Sequence, residues 1–231
     1  MHSVKNNMKT IVISIGGSVL FSDEINDSYL DKLKIFLEKI SKNYKIYLII
    51  GGGKTARKYI TIGRRLNFTE ELLDELGIDI TRINAKIITN FLKNSNKIIP
   101  TNTDQAIKQN YKIVVMGGTT PGHSTDMVGA ELAKKADAEK YIIATNVDGI
   151  YDKDPNKYED AKQIRTISIK QLVQKYGTDW KKAGKNIVID GPALEIIQKA
   201  RLSTYVVNGK KIRELEKIIE NKIFNGTEIK I

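Results

Sequence analysis

A three-layer αβα sandwich with a mostly parallel central sheet is the fold class this sequence predicts, and three observations predict it. Six short apolar, β-branched runs have the length of buried strands. Helical patterns lie between several of them, so strand and helix alternate along the chain. The runs are almost continuously apolar, as strands covered on both faces are.

In chain order the predicted strands are Thr10 to Ile15, Lys45 to Ile50, Lys97 to Pro100, Lys112 to Met116, Tyr141 to Thr145 and Thr204 to Asn208. Leu30, Leu33, Ile35, Phe36, Leu37 and Ile40 follow helical spacing, as do Ala130, Leu132, Ala133 and Ala136, and later Leu215, Ile218 and Ile219. The stretch from Tyr151 to Lys185 is polar and poorly periodic, and reads as an excursion or flap rather than a sheet element. There is no internal repeat or Pro/Gly/Ser-rich linker, so the chain reads as one domain over 1–231. Residues 1–8 read as a flexible leader.

Composition narrows the class of function. Hydrophobic content of 41% with 28% charged residues fits an ordinary globular protein, and no apolar run approaches the ~20 residues of a bilayer span, so no membrane is expected. The opening MHSVKNN lacks a secretory core and the chain has no cysteine, which points to the cytoplasm. The net charge of +11 favours anionic partners. Its basic residues are scattered among acids, as in KKADAEK, so small phosphorylated ligands are expected and nucleic acid is not.

The chemistry is carried by the turns that close the strands: Gly16-Gly17-Ser18, Gly51-Gly52-Gly53-Lys54, Gly117-Gly118-Thr119 and Asn146-Val147-Asp148-Gly149. In a parallel sheet the carboxyl ends of the strands share one rim, where such folds bind ligands. Glycine there lets backbone N–H groups approach phosphate oxygens, and each turn is expected to open a helix whose N-terminus favours an anion. The plain alternative is that each glycine pair is only a tight turn. Gly53-Lys54-Thr55 resembles the end of a P-loop, but its first glycine would fall at Leu48, inside the strand.

The segment GGTTPGHSTD brings Thr119, Thr120, Ser124, Thr125 and Asp126 to the same rim. Ser124 or Thr125 either meets a substrate or caps the next helix with Asp126 in its first turn. His123 is a ligand contact or a loop hydrogen-bonding residue. Phosphoryl transfer to a phosphate acceptor needs no general base, only positioning and cations, with Lys54 and Arg57 at hand.

GGS after the first strand, GGGKTARKYI after the second, MGGTTPGHSTD and TNVDGIYDKDP, in this order, resemble uridylate (UMP) kinase of the archaeal type, in the amino-acid kinase superfamily. The resemblance implies that fold, Mg²⁺ bound with ATP and no protein metal site, a homohexamer of dimers, and a place in pyrimidine nucleotide synthesis. It implies that Gly16, Gly17, Ser18, Gly53 and Arg57 face the ATP phosphates, and that Thr145, Asn146, Tyr151 and Asp154 hold the ATP nucleoside. Gly52, Asp74 and the run Thr119, Thr120, Pro121, Gly122, His123, Ser124 and Thr125 would hold UMP. The UMP site would thus lie mainly in the N-terminal part, the ATP site from about residue 140 onward. Asp126, Lys54 and Arg57 would serve catalysis, Asp126 by organising cationic groups around the transferring phosphate.

Two departures stand out. Many superfamily kinases carry a lysine two residues before the first glycine pair, where this chain has Ser14; Lys54, Arg57 and Lys182 are candidates to replace it. Gly191 separates Asp190 from Pro192, where the family has Asp-Pro. Two other readings remain: a related kinase acting on isopentenyl phosphate, carbamate or an amino-acid carboxylate, and a non-catalytic nucleotide sensor motivated by Ser14.

Overall fold

The computed structural model describes residues 8–21, 27–179 and 189–231. Its centre is a seven-stranded sheet. Strands β1 (Lys9–Ile15), β2 (Tyr44–Ile50), β3 (Ile113–Met116), β4 (Lys140–Thr145) and β8 (Thr204–Asn208) run parallel in the order β3-β2-β1-β4-β8. β9 (Gly226–Lys230) adds antiparallel to β8, and β7 (Thr166–Ser168) closes the edge parallel to β9.

Successive side chains of a strand point to opposite faces, and the two cores follow that period. Ile11, Ile13 and Ile15 of β1, with Leu48 and Ile50 of β2, pack against α2 (Asp27–Ile40), α4 (Glu70–Phe91) and α9 (Ile212–Ile219). On the other face Val12, Tyr47, Ile49, Val114 and Met116 meet α6 (Thr125–Lys135), α7 (Ile169–Tyr176) and α8 (Gly191–Ala200). The result is the expected three-layer sandwich with a mostly parallel sheet.

The segment Lys97 to Pro100 does not form a strand. β3 is the sheet edge there, and a side chain completes it: Asn96 accepts from Val115 N at 2.6 Å and donates to Val115 O at 2.9 Å. Because the fully buried amide imitates a strand partner, the residues after it need not pair. The stretch from Tyr151 is also more ordered than expected. β5 (Ile150–Tyr151) and β6 (Gln163–Ile164) form a small antiparallel pair outside the main sheet, but β7 belongs to the sheet and leads into α7. Residues 180–185 of that stretch, and Lys182 with them, lie outside the described residues, as do residues 1–7.

The glycine turns lead into different elements. Two open helices directly, α1 (Gly17–Leu20) and α3 (Gly53–Arg65). The turn after β3 reaches α6 only at Thr125, through a loop, and the turn after β4 enters the β5–β6 pair. The expectation that every turn opens a helix therefore fails for these two, because irregular loop or a short strand pair follows the glycines instead.

Candidate functional site

Because β3, β2, β1 and β4 are adjacent and parallel, the four glycine-bearing turns emerge along one edge of the sheet. The turns after β1 and β2 touch through their backbones: a Cβ on Gly17 would lie 2.4 Å from Gly51 O and 2.4 Å from Gly53 N. A fifth turn, Asn208-Gly209-Lys210 after β8, joins the same rim. Gly209 N donates to Thr145 O at 2.7 Å, and the Tyr29 hydroxyl donates to Gly209 O at 2.8 Å. Its Asn-Gly pair is a local turn signal that carries no cue to the rim.

One wall of the cleft is held by α4. Asp74 accepts from Gly122 N at 2.7 Å, which ties the expected aspartate to the Thr119–Thr125 loop. Arg82 donates to Gly118 O at 3.2 Å and Thr119 O at 2.8 Å, and the Thr81 hydroxyl accepts from Gly118 N at 2.7 Å. Asn84 donates to Gly51 O at 2.9 Å. These three residues were missed. Thr81 and Asn84 are polar residues on the helix face that buries Ile78, Ala85 and Ile88, and that mismatch was the signal available in the sequence.

The loop is fixed at its end by a helix cap. Ser124 is the N-cap of α6, accepting from Met127 N at 2.9 Å, and Asp126 sits in the first turn. Thr120 and Pro121 are exposed, whereas Thr119 is buried, its hydroxyl 3.5 Å from Nδ1 of His123.

Beneath this loop two carboxyl groups meet. Asp190 caps α8 by accepting from Ala193 N at 3.0 Å, and it also accepts from the Ser124 hydroxyl. Gly191 is required by close approach: a Cβ there would lie 2.6 Å from the Thr178 carbonyl carbon. Asp190 therefore keeps its capping place despite the inserted glycine. Asp126 faces Ser14 of β1, with the hydroxyl 3.1 Å from its Oδ1, and its carbonyl accepts from the Tyr141 hydroxyl at 2.8 Å. Burial, and then the charge of Asp190, push the Asp126 carboxyl up to about 7, against the Ser14 hydrogen bond. Burial likewise raises Asp190, opposed by Ser124 and the Ala193 amide. Tyr141 is pushed well above its ordinary value by burial and by Asp126.

At the β4 end lies a cavity of about 270 Å³, lined by Thr145, Asn146, Tyr151 and Asp154 together with Val147, Ile150, Pro155 and Tyr176. In the same turn Asp148 accepts from Asn208 at 2.9 Å and pairs with Lys211 at 2.7 Å. Burial opposes its ionisation, but Lys211 and the amides outweigh it and hold the carboxyl below the usual range. On α3, Lys54 and Arg57 are exposed beside the glycine turns, with Gly52 and Gly53 at the helix start and Gly16 and Ser18 opposite. The predicted site residues thus gather along one rim, from the cavity to the Asp74-held loop.

Residues 9–208 match the amino acid kinase family. The uridylate kinase of Methanocaldococcus jannaschii is 44% identical over 224 residues, covering 95% of this chain and 98% of that protein. That of Thermoplasma volcanium is 40% identical over 226 residues, with 96% and 99% covered. The crystal structure of uridylate kinase from Archaeoglobus fulgidus superposes with a TM-score of 0.82 at 35% identity, covering 95% of this chain and 99% of that one. With this sheet order and this rim, the chain belongs to the amino acid kinase family, where it stands with the archaeal-type uridylate kinases.

Proposed function

We propose that this chain transfers the γ-phosphoryl group of ATP to the phosphate of UMP, giving UDP and ADP, as a step of pyrimidine nucleotide synthesis. The observation that carries the reading is the convergence of the glycine turns after β1, β2, β3 and β4 on one edge, between a nucleoside-sized cavity and a loop fixed by Asp74. The names of the relatives fit this reading. An oxygen of the UMP phosphate attacks the γ-phosphorus while the bond to the β–γ bridging oxygen breaks, so no proton need be removed.

In this reading Thr145, Asn146, Tyr151 and Asp154 hold the ATP nucleoside, and Gly16, Gly17, Ser18, Gly53 and Arg57 face its phosphates. Gly52, Asp74 and the Thr119–Thr125 loop hold UMP, with Arg82 stiffening that loop from behind. The N-terminal part thus serves mainly the acceptor and the part from about residue 140 the donor. Lys54 and Arg57 stand in for the lysine replaced by Ser14. Among the described residues no group of three or more His, Cys, Asp or Glu side chains is arranged to hold a metal. Mg²⁺ fits as an ion carried by ATP phosphate oxygens and water, where it neutralises developing charge.

Arg57→Ala is expected to raise the KM for ATP about ten- to hundredfold, the worth of a charge-assisted hydrogen bond, with the KM for UMP unchanged. Steady-state kinetics with each substrate varied check this; wild-type ATP kinetics would remove Arg57 from the donor site.

We further propose a homohexamer built of dimers. Leu72, Leu76, Ile80, Ile83 and Ile87 recur along α4 at spacings of four, four, three and four, and Ile83 and Ile87 are 55% and 49% exposed. Such an outward stripe suits packing against another helix. Sedimentation velocity should show the assembly, and a monomer would end this part. Among the described residues no helix is long and apolar enough to cross a membrane; the absence of cysteine suits our placement in a reducing cytoplasm.

The decisive experiment incubates the protein with ATP, Mg²⁺ and a panel of UMP, CMP, isopentenyl phosphate and carbamate. UDP is expected as the strongly preferred product. Phosphorylation of isopentenyl phosphate without UMP, or tight nucleotide binding without turnover, overturns the reading.

A further inference from the structure

Ser14 breaks the pattern of its strand. Its neighbours in β1 are aliphatic, yet it is 2% exposed and carries a hydroxyl that needs partners. Alternation turns it to the face where Val12 meets α6, and there it finds two acceptors: Thr125 O at 3.2 Å and Asp126 Oδ1 at 3.1 Å.

A hydroxyl has one proton and two lone pairs, so Ser14 cannot donate to both at once. It can instead serve either state of Asp126. With Asp126 ionised, the Ser14 proton points to Oδ1. With Asp126 protonated, the carboxyl donates to the Ser14 oxygen and the hydroxyl turns to Thr125 O. A lysine in this place would only donate, and would hold Asp126 ionised throughout.

The other groups around Asp126 come from α8, β4 and the loop before α6. Asp190 adds a negative charge and is itself held by Ser124, with His123 beside it as an opposing influence. Tyr141 donates to the Asp126 carbonyl and also lies within hydrogen-bonding contact of Ser14. Ser14 is thus the described side chain that hydrogen-bonds the Asp126 carboxyl directly.

We infer that Ser14 is a positioning residue for phosphoryl transfer: its hydroxyl fixes the orientation of the Asp126 carboxyl and favours its ionised form, the form needed in the reaction. This rests on the proposed kinase activity. The bond itself gives the sign, since a donor to the ionised form lowers the carboxyl's titration and its loss raises it.

The test compares wild type, Ser14→Ala and Ser14→Thr by kcat against pH from about 5.5 to 9. Ser14→Ala should move the acid limb upward by about one pH unit, so that kcat well below the limb is about tenfold lower while the curves converge above it. The KM values for UMP and ATP should stay near wild type, and Ser14→Thr, which keeps the hydroxyl, should restore the profile. Carboxyl ¹³C NMR should show Asp126 titrating higher in Ser14→Ala, whether or not the chain turns over. Superimposable pH profiles and an unmoved Asp126 titration overturn the inference. If Ser14→Ala does not fold, a Ser14→Thr profile displaced from wild type overturns it instead. Absence of turnover with UMP in the wild type sinks the kinase reading and the role in transfer with it, while the NMR titration still tests the Ser14–Asp126 coupling by itself.

Discussion

Asp126→Asn is expected to lower kcat by about 10²- to 10³-fold, the scale of losing one preorganised electrostatic group at a transferring phosphate. The KM for UMP should stay within about threefold of wild type, because in the proposed reading the acceptor is held by other residues, among them the Asp74-fixed loop. Stability should move the other way. The Asp126 carboxyl titrates at about 7 when folded, raised from 3.8 by burial first and the charge of Asp190 second. A group raised on folding favours the native state fully below its unfolded value, and that contribution is lost as pH climbs through the folded value. At pH 8 the wild type therefore carries a buried charge that the asparagine variant lacks. Thermal melts at pH 8 should place Asp126→Asn at or above wild type, while the two converge at lower pH. A variant that is both inactive and much less stable at pH 8 would show that Asp126 is a structural residue instead.

How far this site was legible in the sequence depends on whether the cue was local. The glycine turns were legible because each closes an apolar run, and parallel neighbours bring such ends together whatever lies between them. The strand cores were legible for the same reason. The Lys97 to Pro100 run misled because four residues carry no usable period, and a buried amide from Asn96 had taken the partner's place. β7 and β9 were missed because short strands with polar residues, such as Thr227, Glu228 and Lys230, look like loop until a neighbour is known. The pairing of Asp126 with Asp190 and with Ser14 joins positions 64 and 112 apart in the chain, and nothing in either neighbourhood announces the other.

The helix α4 shows why a tertiary contact can matter more to a site than a motif. Thr81, Arg82 and Asn84 hold backbone groups of two different glycine turns, so the turns after β3 and β2 are braced by one rigid element. Precise placement of phosphate-facing backbone is what such a site needs, since phosphoryl transfer draws most of its acceleration from positioning and electrostatics. The outward face of the same helix carries the apolar stripe, so assembly through that stripe would stiffen the loop further.

Adjacent glycines at the first turn should respond very differently to the same change. A Cβ on Gly16 meets nothing closer than Ala144 O at 3.6 Å, an ordinary contact, so Gly16→Ala should fold with a melting temperature near wild type. At Gly17 the added carbon would lie 2.4 Å from Gly51 O and from Gly53 N, and 2.7 Å from the Gly52 carbonyl carbon. These are backbone atoms of the neighbouring turn and cannot swing aside as a side chain does. The turns after β1 and β2 must part, at a cost of about 1–3 kcal/mol for forced overpacking, and with them the spacing that would seat the ATP phosphates. Gly17→Ala should accordingly lower the melting temperature by several degrees, roughly 2–4 °C per kcal/mol for a chain of this size, and abolish measurable turnover. Differential scanning calorimetry and the UDP assay on both variants decide it. Gly17→Ala with wild-type stability and kinetics would mean that the two turns do not touch, and the shared phosphate rim would lose its foundation.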